Sequence, residues 1–149
     1  MAVTAARTVR EAMHKGCECI GENQTLVDAA KRMEERDIGA MPICGEDDRL
    51  KGMLTDRDIV VKALAQGKDP AMTRCGEIAQ GNMVWIRADA SLEDAIRRMR
   101  EQAVRRMPVV DENKRLCGII TEADIATHAP EQQTGEFIEA IASASPQHF

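Results

Sequence analysis

Polar and apolar positions follow the same order in two stretches of the chain, residues 25–60 and 91–126. Each stretch begins with Thr or Ser and continues with apolar residues at helical spacing, which predicts a helix. An apolar run that contains a proline then predicts a strand, and a second apolar run after a polar turn predicts another strand followed by a second helix. The predicted strands are 40–44 and 50–55 in the first stretch, and 106–110 and 116–121 in the second.

The two stretches align without a gap at an offset of 66 residues, and fifteen of their thirty-six positions are identical. Such an alignment indicates an internal repeat, which decides the fold before any single motif does. A further short strand is predicted ahead of each copy, at 17–20 and 83–86. One unit therefore reads strand–helix–strand–strand–helix.

The beginning of each first helix carries a capping signal. Thr25 is followed three residues later by Asp28, and Ser91 is followed by Asp94. A hydroxyl and a carboxylate at this spacing can each accept a hydrogen bond from a backbone amide near the helix start. We therefore expect capping boxes at equivalent places in both repeats.

One helix and a small sheet cannot bury both of their faces alone. We therefore expect an α/β fold in which two β-α-β-β-α repeats, related by a pseudo-twofold axis, pack their sheets face to face. The predicted organisation is a first repeat at 1–66, a linker at 67–76, a second repeat at 77–128, and a C-terminal helix and tail at 129–149.

Composition narrows the class of protein. The 149 residues are 44% hydrophobic with a formal net charge of −5, which suits a globular protein and not a DNA-binding one. The apolar runs are far shorter than a membrane span, and residues 1–13 lack the apolar core of a signal peptide. A cytoplasmic location without membrane or nucleic-acid partners is the default expectation.

The five cysteines do not form the even, evenly spaced set of a secreted disulfide framework. Buried free thiols and one disulfide between Cys19 and Cys44 both remain open. The three histidines stand alone, with no paired spacing for zinc, so no metal site is predicted. Nucleophile and phosphate-loop motifs are also missing, which predicts a protein without catalytic residues and not an enzyme.

The most informative motif is a strand-to-helix corner that occurs in both repeats, as GMLTDRDI at 52–59 and GIITEADI at 118–125. Thr55 with Asp58, and Thr121 with Asp124, can form capping boxes. The two glycines that begin the motifs leave room for a close backbone approach. A purely structural cap and a ligand site remain alternatives at this point.

The doubled unit, with PIC followed by LKGMLTDRDI and PVV followed by LCGIITEADI, resembles the cystathionine-β-synthase (CBS) domain over about residues 9–128. CBS domains occur in tandem pairs called Bateman modules, and the resemblance implies two clefts between repeats that commonly hold adenosine nucleotides. It implies that Asp58 and Asp124 accept hydrogen bonds from ribose hydroxyls and that Thr55 and Thr121 approach the phosphate. A carboxylate one turn into a helix suits two vicinal hydroxyls, and a helix N-terminus favours phosphate.

The resemblance also implies an asymmetry. Related modules place a basic residue two positions before the proline of this strand, and Arg106 matches that position whereas Ala40 occupies it in the first repeat. We therefore expect Arg106 to meet a phosphate held mainly by Thr55 and Asp58. Further residues assigned to the site are Ile20 and Ile86 for the adenine pockets, and Arg57 and Lys62 for added positive potential.

The sequence thus predicts a non-enzymatic sensor of the Bateman type that requires no cofactor and binds AMP, ADP, ATP or NAD as a regulatory ligand. A homodimer that signals to an unknown separate partner, as in a stress response, is expected from the resemblance. Two alternatives remain open. One is an interaction scaffold with empty clefts, and the other is a thiol-responsive module that uses Cys19 and Cys44.

Overall fold

A computed structural model describes residues 7–16, 18–79, 83–128 and 131–143. The helices are α1 (Val9–Ala12), α2 (Leu26–Arg36), α3 (Asp56–Asp58), α4 (Cys75–Ile78), α5 (Leu92–Gln102), α6 (Glu122–His128) and α7 (Glu131–Ala142). The strands are β1 (His14–Lys15), β2 (Ile20–Gly21), β3 (Ala40–Cys44), β4 (Leu50–Thr55), β5 (Ile86–Arg87), β6 (Arg106–Val110) and β7 (Leu116–Thr121). A π-helical segment, Ile59–Leu64, continues α3.

The chain divides into two compact units, and each contains one sequence repeat. The first-repeat unit is 18–83, and the second-repeat unit combines 84–149 with 1–17. A mixed α/β fold with a repeated unit is confirmed.

The first-repeat unit contains a sheet in the order β2-β3-β4. Strand β2 pairs in parallel with β3, which pairs antiparallel with β4. Helix α2 begins with the predicted capping box, since Thr25 and Asp28 each accept from the other's backbone amide. The apolar sides of the helices and the sheet form one core that includes Ile20, Leu26, Met33, Met41, Ile43 and Leu54.

The second-repeat unit contains a sheet in the order β1-β7-β6-β5. Strands β5, β6 and β7 reproduce the pairing of the first-repeat unit, and β1 adds an antiparallel strand to the free edge of β7. Ser91 caps α5 through its hydroxyl, but the carboxylate of Asp94 is engaged by Arg97 at 2.6 Å. The core includes Val9, Ile86, Leu92, Met99, Met107, Val109, Ile120 and Ile125.

Backbone details repeat at the same offset of 66 residues. Helices α2 and α5 both end in the left-handed conformation, at Asp37 and Ala103, each with φ 53°. The turns between paired strands also use this conformation, at Asp48 and Lys114. The four strands predicted at 40–44, 50–55, 106–110 and 116–121 have the predicted bounds.

The strands predicted at 17–20 and 83–86 are shorter than expected. Residue 17 lies outside the described residues, and the observed strands are Ile20–Gly21 and Ile86–Arg87. Strand β2 pairs only with the two residues after Pro42, and β5 pairs only with the two residues after Pro108. Because proline has no backbone N–H, it cannot extend a ladder to a further neighbour. The prolines thus explain why the ladder does not extend toward the N-terminal end of these outer strands.

Two short helices were not predicted, and each packs with the repeat that it does not precede. Helix α1 comes before the first repeat but belongs to the second-repeat unit, where the amide of Val9 donates to the carbonyl of Ala90 at 3.0 Å. Helix α4 comes before the second repeat but belongs to the first-repeat unit, where the amide of Cys75 donates to the carbonyl of Gln24 at 2.8 Å. Compact units and sequence repeats therefore divide the chain differently.

The addition of β1 to β7 depends on a glycine. Lys15 stands opposite Gly118 in the ladder, and a Cβ placed on Gly118 would lie 2.5 Å from the carbonyl oxygen of His14 and 2.8 Å from Sδ of Met13. Such distances are far inside van der Waals contact, so a side chain here requires β1 to move. The room predicted from the glycine is thus used by the N-terminal segment.

We expect Gly118→Ala to lower the free energy of unfolding by about 1–3 kcal/mol, because the added methyl group displaces the backbone of β1. The measurement is chemical denaturation followed by circular dichroism. The matched control is Gly135→Ala in α7, where nothing lies within 4 Å of an added Cβ. That variant should be as stable as the parent or up to about 1 kcal/mol more stable. Equal stability of the two variants would contradict the assignment of Gly118.

Candidate functional site

The first corner joins β4 to α3. The amide of Asp58 donates to Oγ1 of Thr55 at 2.9 Å, and the amide of Thr55 donates to Oδ2 of Asp58 at 3.0 Å. Both residues are nearly removed from solvent, with exposed fractions of 6% for Thr55 and 5% for Asp58. The ammonium of Lys62, one turn along the helix, lies 3.3 Å from Oδ1 of Asp58.

The second corner joins β7 to α6 and has the same cap. The amide of Asp124 donates to Oγ1 of Thr121 at 3.3 Å, and the amide of Thr121 donates to Oδ2 of Asp124 at 2.9 Å. The hydroxyl of Thr121 also donates to Oδ2 at 3.1 Å. Asp124 is 6% exposed.

The corners differ in the group that faces the carboxylate. At the second corner Nδ1 of His14, on β1, lies 2.8 Å from Oδ1 and 2.9 Å from Oδ2 of Asp124. In the sequence His14 stands alone, because its partner is 110 residues away. The sequence offered one indirect signal for this contact. Gly118 precedes the corner, and a glycine at that place predicts that another segment of backbone approaches closely.

The other predicted site residues are distributed as follows. Ile20 and Ile86 are 0% and 2% exposed and belong to the cores of their units, so their side chains offer little surface to a ligand here. Arg106 begins β6 and stands opposite Thr121 in the ladder. Because Arg106 and Thr55 belong to different compact units, its role beside the first corner stays a prediction.

An open cavity of about 300 Å³ lies along β5 and α5 in the second-repeat unit. Beside it, Arg98 donates to the carbonyl of Trp85 at 2.6 Å and Arg87 pairs with Asp89 at 2.7 Å.

The cysteines differ in burial, since Cys44 is buried at the end of β3 and Cys19 is half-buried just before β2. The disulfide expected between them stays a prediction. Burial, with the nearby charge of Asp28 as a smaller cause, raises the pKa of Cys75 to about 11, so this thiol is protonated and unreactive near neutral pH.

Among the described residues no three His, Cys, Asp or Glu side chains are grouped as ligands for a metal ion. None of the helices in the described ranges has the length and apolarity that crossing a membrane requires.

Comparison with known proteins agrees with the repeat. The model of the CBS domain family matches residues 9–64 and 75–131. The chain is 52% identical to hypoxic response protein 1 of Mycobacterium tuberculosis over 136 residues, which cover 91% of this chain and 94% of that protein. It is 38% identical to the CBS domain-containing protein YhcV of Bacillus subtilis, covering 81% and 84% of the two chains.

Two solved structures bear on the site. The crystal structure of hypoxic response protein I with two coordinated zinc ions has a TM-score of 0.76 at 54% identity, covering 83% of this chain and 99% of that one. The CBS domain pair of protein MJ0100 in complex with 5′-methylthioadenosine and S-adenosyl-L-methionine has a TM-score of 0.69 at 30% identity, covering 80% and 93%. The two family matches, the repeated β-α-β-β-α unit and the paired corners together show that this chain belongs to the CBS domain family and carries two such domains in tandem.

Proposed function

We propose that this protein is a non-enzymatic regulatory module that binds an adenosine-containing ligand through its Thr-x-x-Asp corners. The observation that supports this most strongly is the pair of nearly buried carboxylates, Asp58 and Asp124, held in the same geometry at equivalent helix starts. Stand-alone CBS pairs are generally regulatory, and no catalytic family is indicated for this chain.

The chemistry of the corner suits a ribose. A carboxylate has two oxygens and about four acceptor directions, and in the first corner the amide of Thr55 uses one direction on Oδ2. Two vicinal hydroxyls can donate to such a group, and exclusion from water strengthens these hydrogen bonds. The compounds held by the MJ0100 pair, 5′-methylthioadenosine and S-adenosyl-L-methionine, share a ribose that carries both hydroxyls.

A phosphate would add contacts that these two compounds do not need. We propose the hydroxyl of Thr55 and the guanidinium of Arg106 as phosphate ligands. This rests on the position of Thr55 in the first corner and of Arg106 two residues before the strand proline, as in related modules. AMP, ADP, ATP and NAD all carry the required ribose, so the class of ligand is adenosine-based. By its likeness to a hypoxic response protein, we also propose a role in a stress response, through a separate partner.

Zinc is named in the crystal structure of the 54% identical relative. The described residues of this chain form no group of three ligands, so no step of the proposal runs through a metal. The cytoplasmic location expected from the sequence stays a prediction.

We also propose that the protein forms a homodimer. Val60, Val61 and Leu64 on the π-helical segment are 54%, 42% and 54% exposed, an apolar surface on a short length of helix. At the offset of 66 residues, the positions equivalent to Val60 and Val61 are Ala126 and Thr127, which are smaller or polar. Exposed apolar clusters of this kind are typical of association surfaces.

A ligand test separates binding from mere capping. We expect AMP at one hundred times its dissociation constant to stabilise the protein by about 2.7 kcal/mol, a rise of several degrees in Tm. Because both ribose hydroxyls are required, 2′-deoxy-AMP should give little shift. Asp58→Ala should lose the AMP shift, each variant being compared with its own ligand-free Tm in differential scanning fluorimetry.

The matched control is Asp28→Ala. Asp28 closes a capping box of the same geometry on Thr25, with both amide contacts at 3.2 Å, but lies outside the corner. Both variants should lose about 1 kcal/mol of stability, yet only Asp58→Ala should lose the response to AMP. An unchanged Tm with AMP, ADP, ATP, NAD, S-adenosyl-L-methionine and 5′-methylthioadenosine would instead favour the interaction scaffold.

The dimer is tested by sedimentation velocity. We expect the mass derived from sedimentation to be twice that of the 16.4 kDa chain. The double variant Val60→Glu/Leu64→Glu should sediment as a single chain, because burying two charges in the interface opposes association. Met72→Glu, at an apolar side chain that is 79% exposed elsewhere in the same unit, should remain dimeric. A double variant that stays dimeric would exclude this surface.

A further inference from the structure

A histidine from the N-terminal strand is bonded to the carboxylate of the second corner. Nδ1 of His14 lies 2.8 Å from Oδ1 and 2.9 Å from Oδ2 of Asp124. The imidazolium and the neutral tautomer with a proton on Nδ1 can both donate this hydrogen bond. The contact joins the beginning of the chain to the corner of the second repeat.

This contact uses the atoms that a ribose would need. The amide and the hydroxyl of Thr121 already donate to Oδ2 of Asp124, and the imidazole faces both oxygens. Few acceptor directions remain on a carboxylate with three donors around it. Two vicinal hydroxyls can bind there only if the imidazole leaves.

The backbone keeps the imidazole beside the corner. His14 stands opposite Ile119 in the ladder between β1 and β7, two residues before the threonine of the corner. The carbonyl of His14 lies directly over Gly118, as described above. The side chain itself is 65% exposed, so it can rotate outward while β1 stays in place.

The first corner has a different partner. Lys62 lies 3.3 Å from Oδ1 of Asp58, and its side chain is 45% exposed on the same helix. An ammonium group there can turn toward the phosphate of a ligand, whereas an imidazole between the carboxylate oxygens stands in the place of the ribose. The residue equivalent to His14 at the offset of 66 is Gln80, which lies outside the described residues.

We propose that His14 closes the Asp124 corner to ribose, so that removal of the imidazole gives the chain one nucleotide site more than the parent protein has. This inference rests on the proposed function, because it concerns the same ligand. It gives a blocking role to one side chain that lies outside both sequence repeats.

The test is isothermal titration calorimetry with AMP on the full chain. The parent protein should bind one AMP per chain, and both His14→Ala and His14→Leu should bind two. In these variants AMP no longer has to displace the hydrogen bond from His14 to the charged carboxylate of Asp124. The affinity of the second corner for AMP should therefore rise by roughly 10- to 100-fold. Lys15→Ala, at the exposed neighbour on β1, is the matched control and should still bind one.

The double variant Asp58→Ala/His14→Ala assigns the new site, and should bind one AMP at Asp124. Equal numbers of sites in the parent and both His14 variants would overturn the inference and leave the proposed function intact. Binding by the His14 variants alone would support the inference and contradict binding at Asp58. No binding by any variant would overturn both, and unchanged circular dichroism spectra show that each variant is folded.

Discussion

Each corner of this protein depends on a single carboxylate that has two tasks. Asp58 and Asp124 accept the amide of the threonine three residues earlier, which fixes the start of a helix, and the same groups are the proposed ribose acceptors. The first task uses an amide contact to Oδ2, and the other groups around each carboxylate affect whether ribose hydroxyls can reach it. Lys62 is such a group at Asp58 and His14 is such a group at Asp124, and they come from different parts of the fold.

The fold brings His14 to the second corner because short segments pack with the repeat that they do not precede. Helix α1 and strand β1 complete the second-repeat unit, and α4 completes the first-repeat unit. Gly118 permits β1 to lie against β7 at a distance no other residue would allow. A sheet edge that would otherwise be open is thereby paired, and a side chain from residue 14 reaches residue 124.

Much of the fold followed from local sequence signals. The strands at 40–44, 50–55, 106–110 and 116–121, and the capping box of Thr25, depend on short-range patterns that tertiary contacts did not override. The positions of α1, β1 and α4 depend on contacts between distant residues, which periodicity does not encode. The pairing of His14 with Asp124 could not be predicted, because His14 lies outside both repeats and 110 residues away from the corner motif that contains Asp124.

The central claim is that His14, which is already bonded to Asp124, keeps ribose from the second corner. A crystal structure of the full protein grown with AMP tests it most directly. The account predicts AMP with its ribose hydroxyls on Asp58, and His14 still bonded to an Asp124 that holds no ligand. AMP on Asp124 with the bond to His14 intact would contradict it, because the carboxylate would then serve both partners at once.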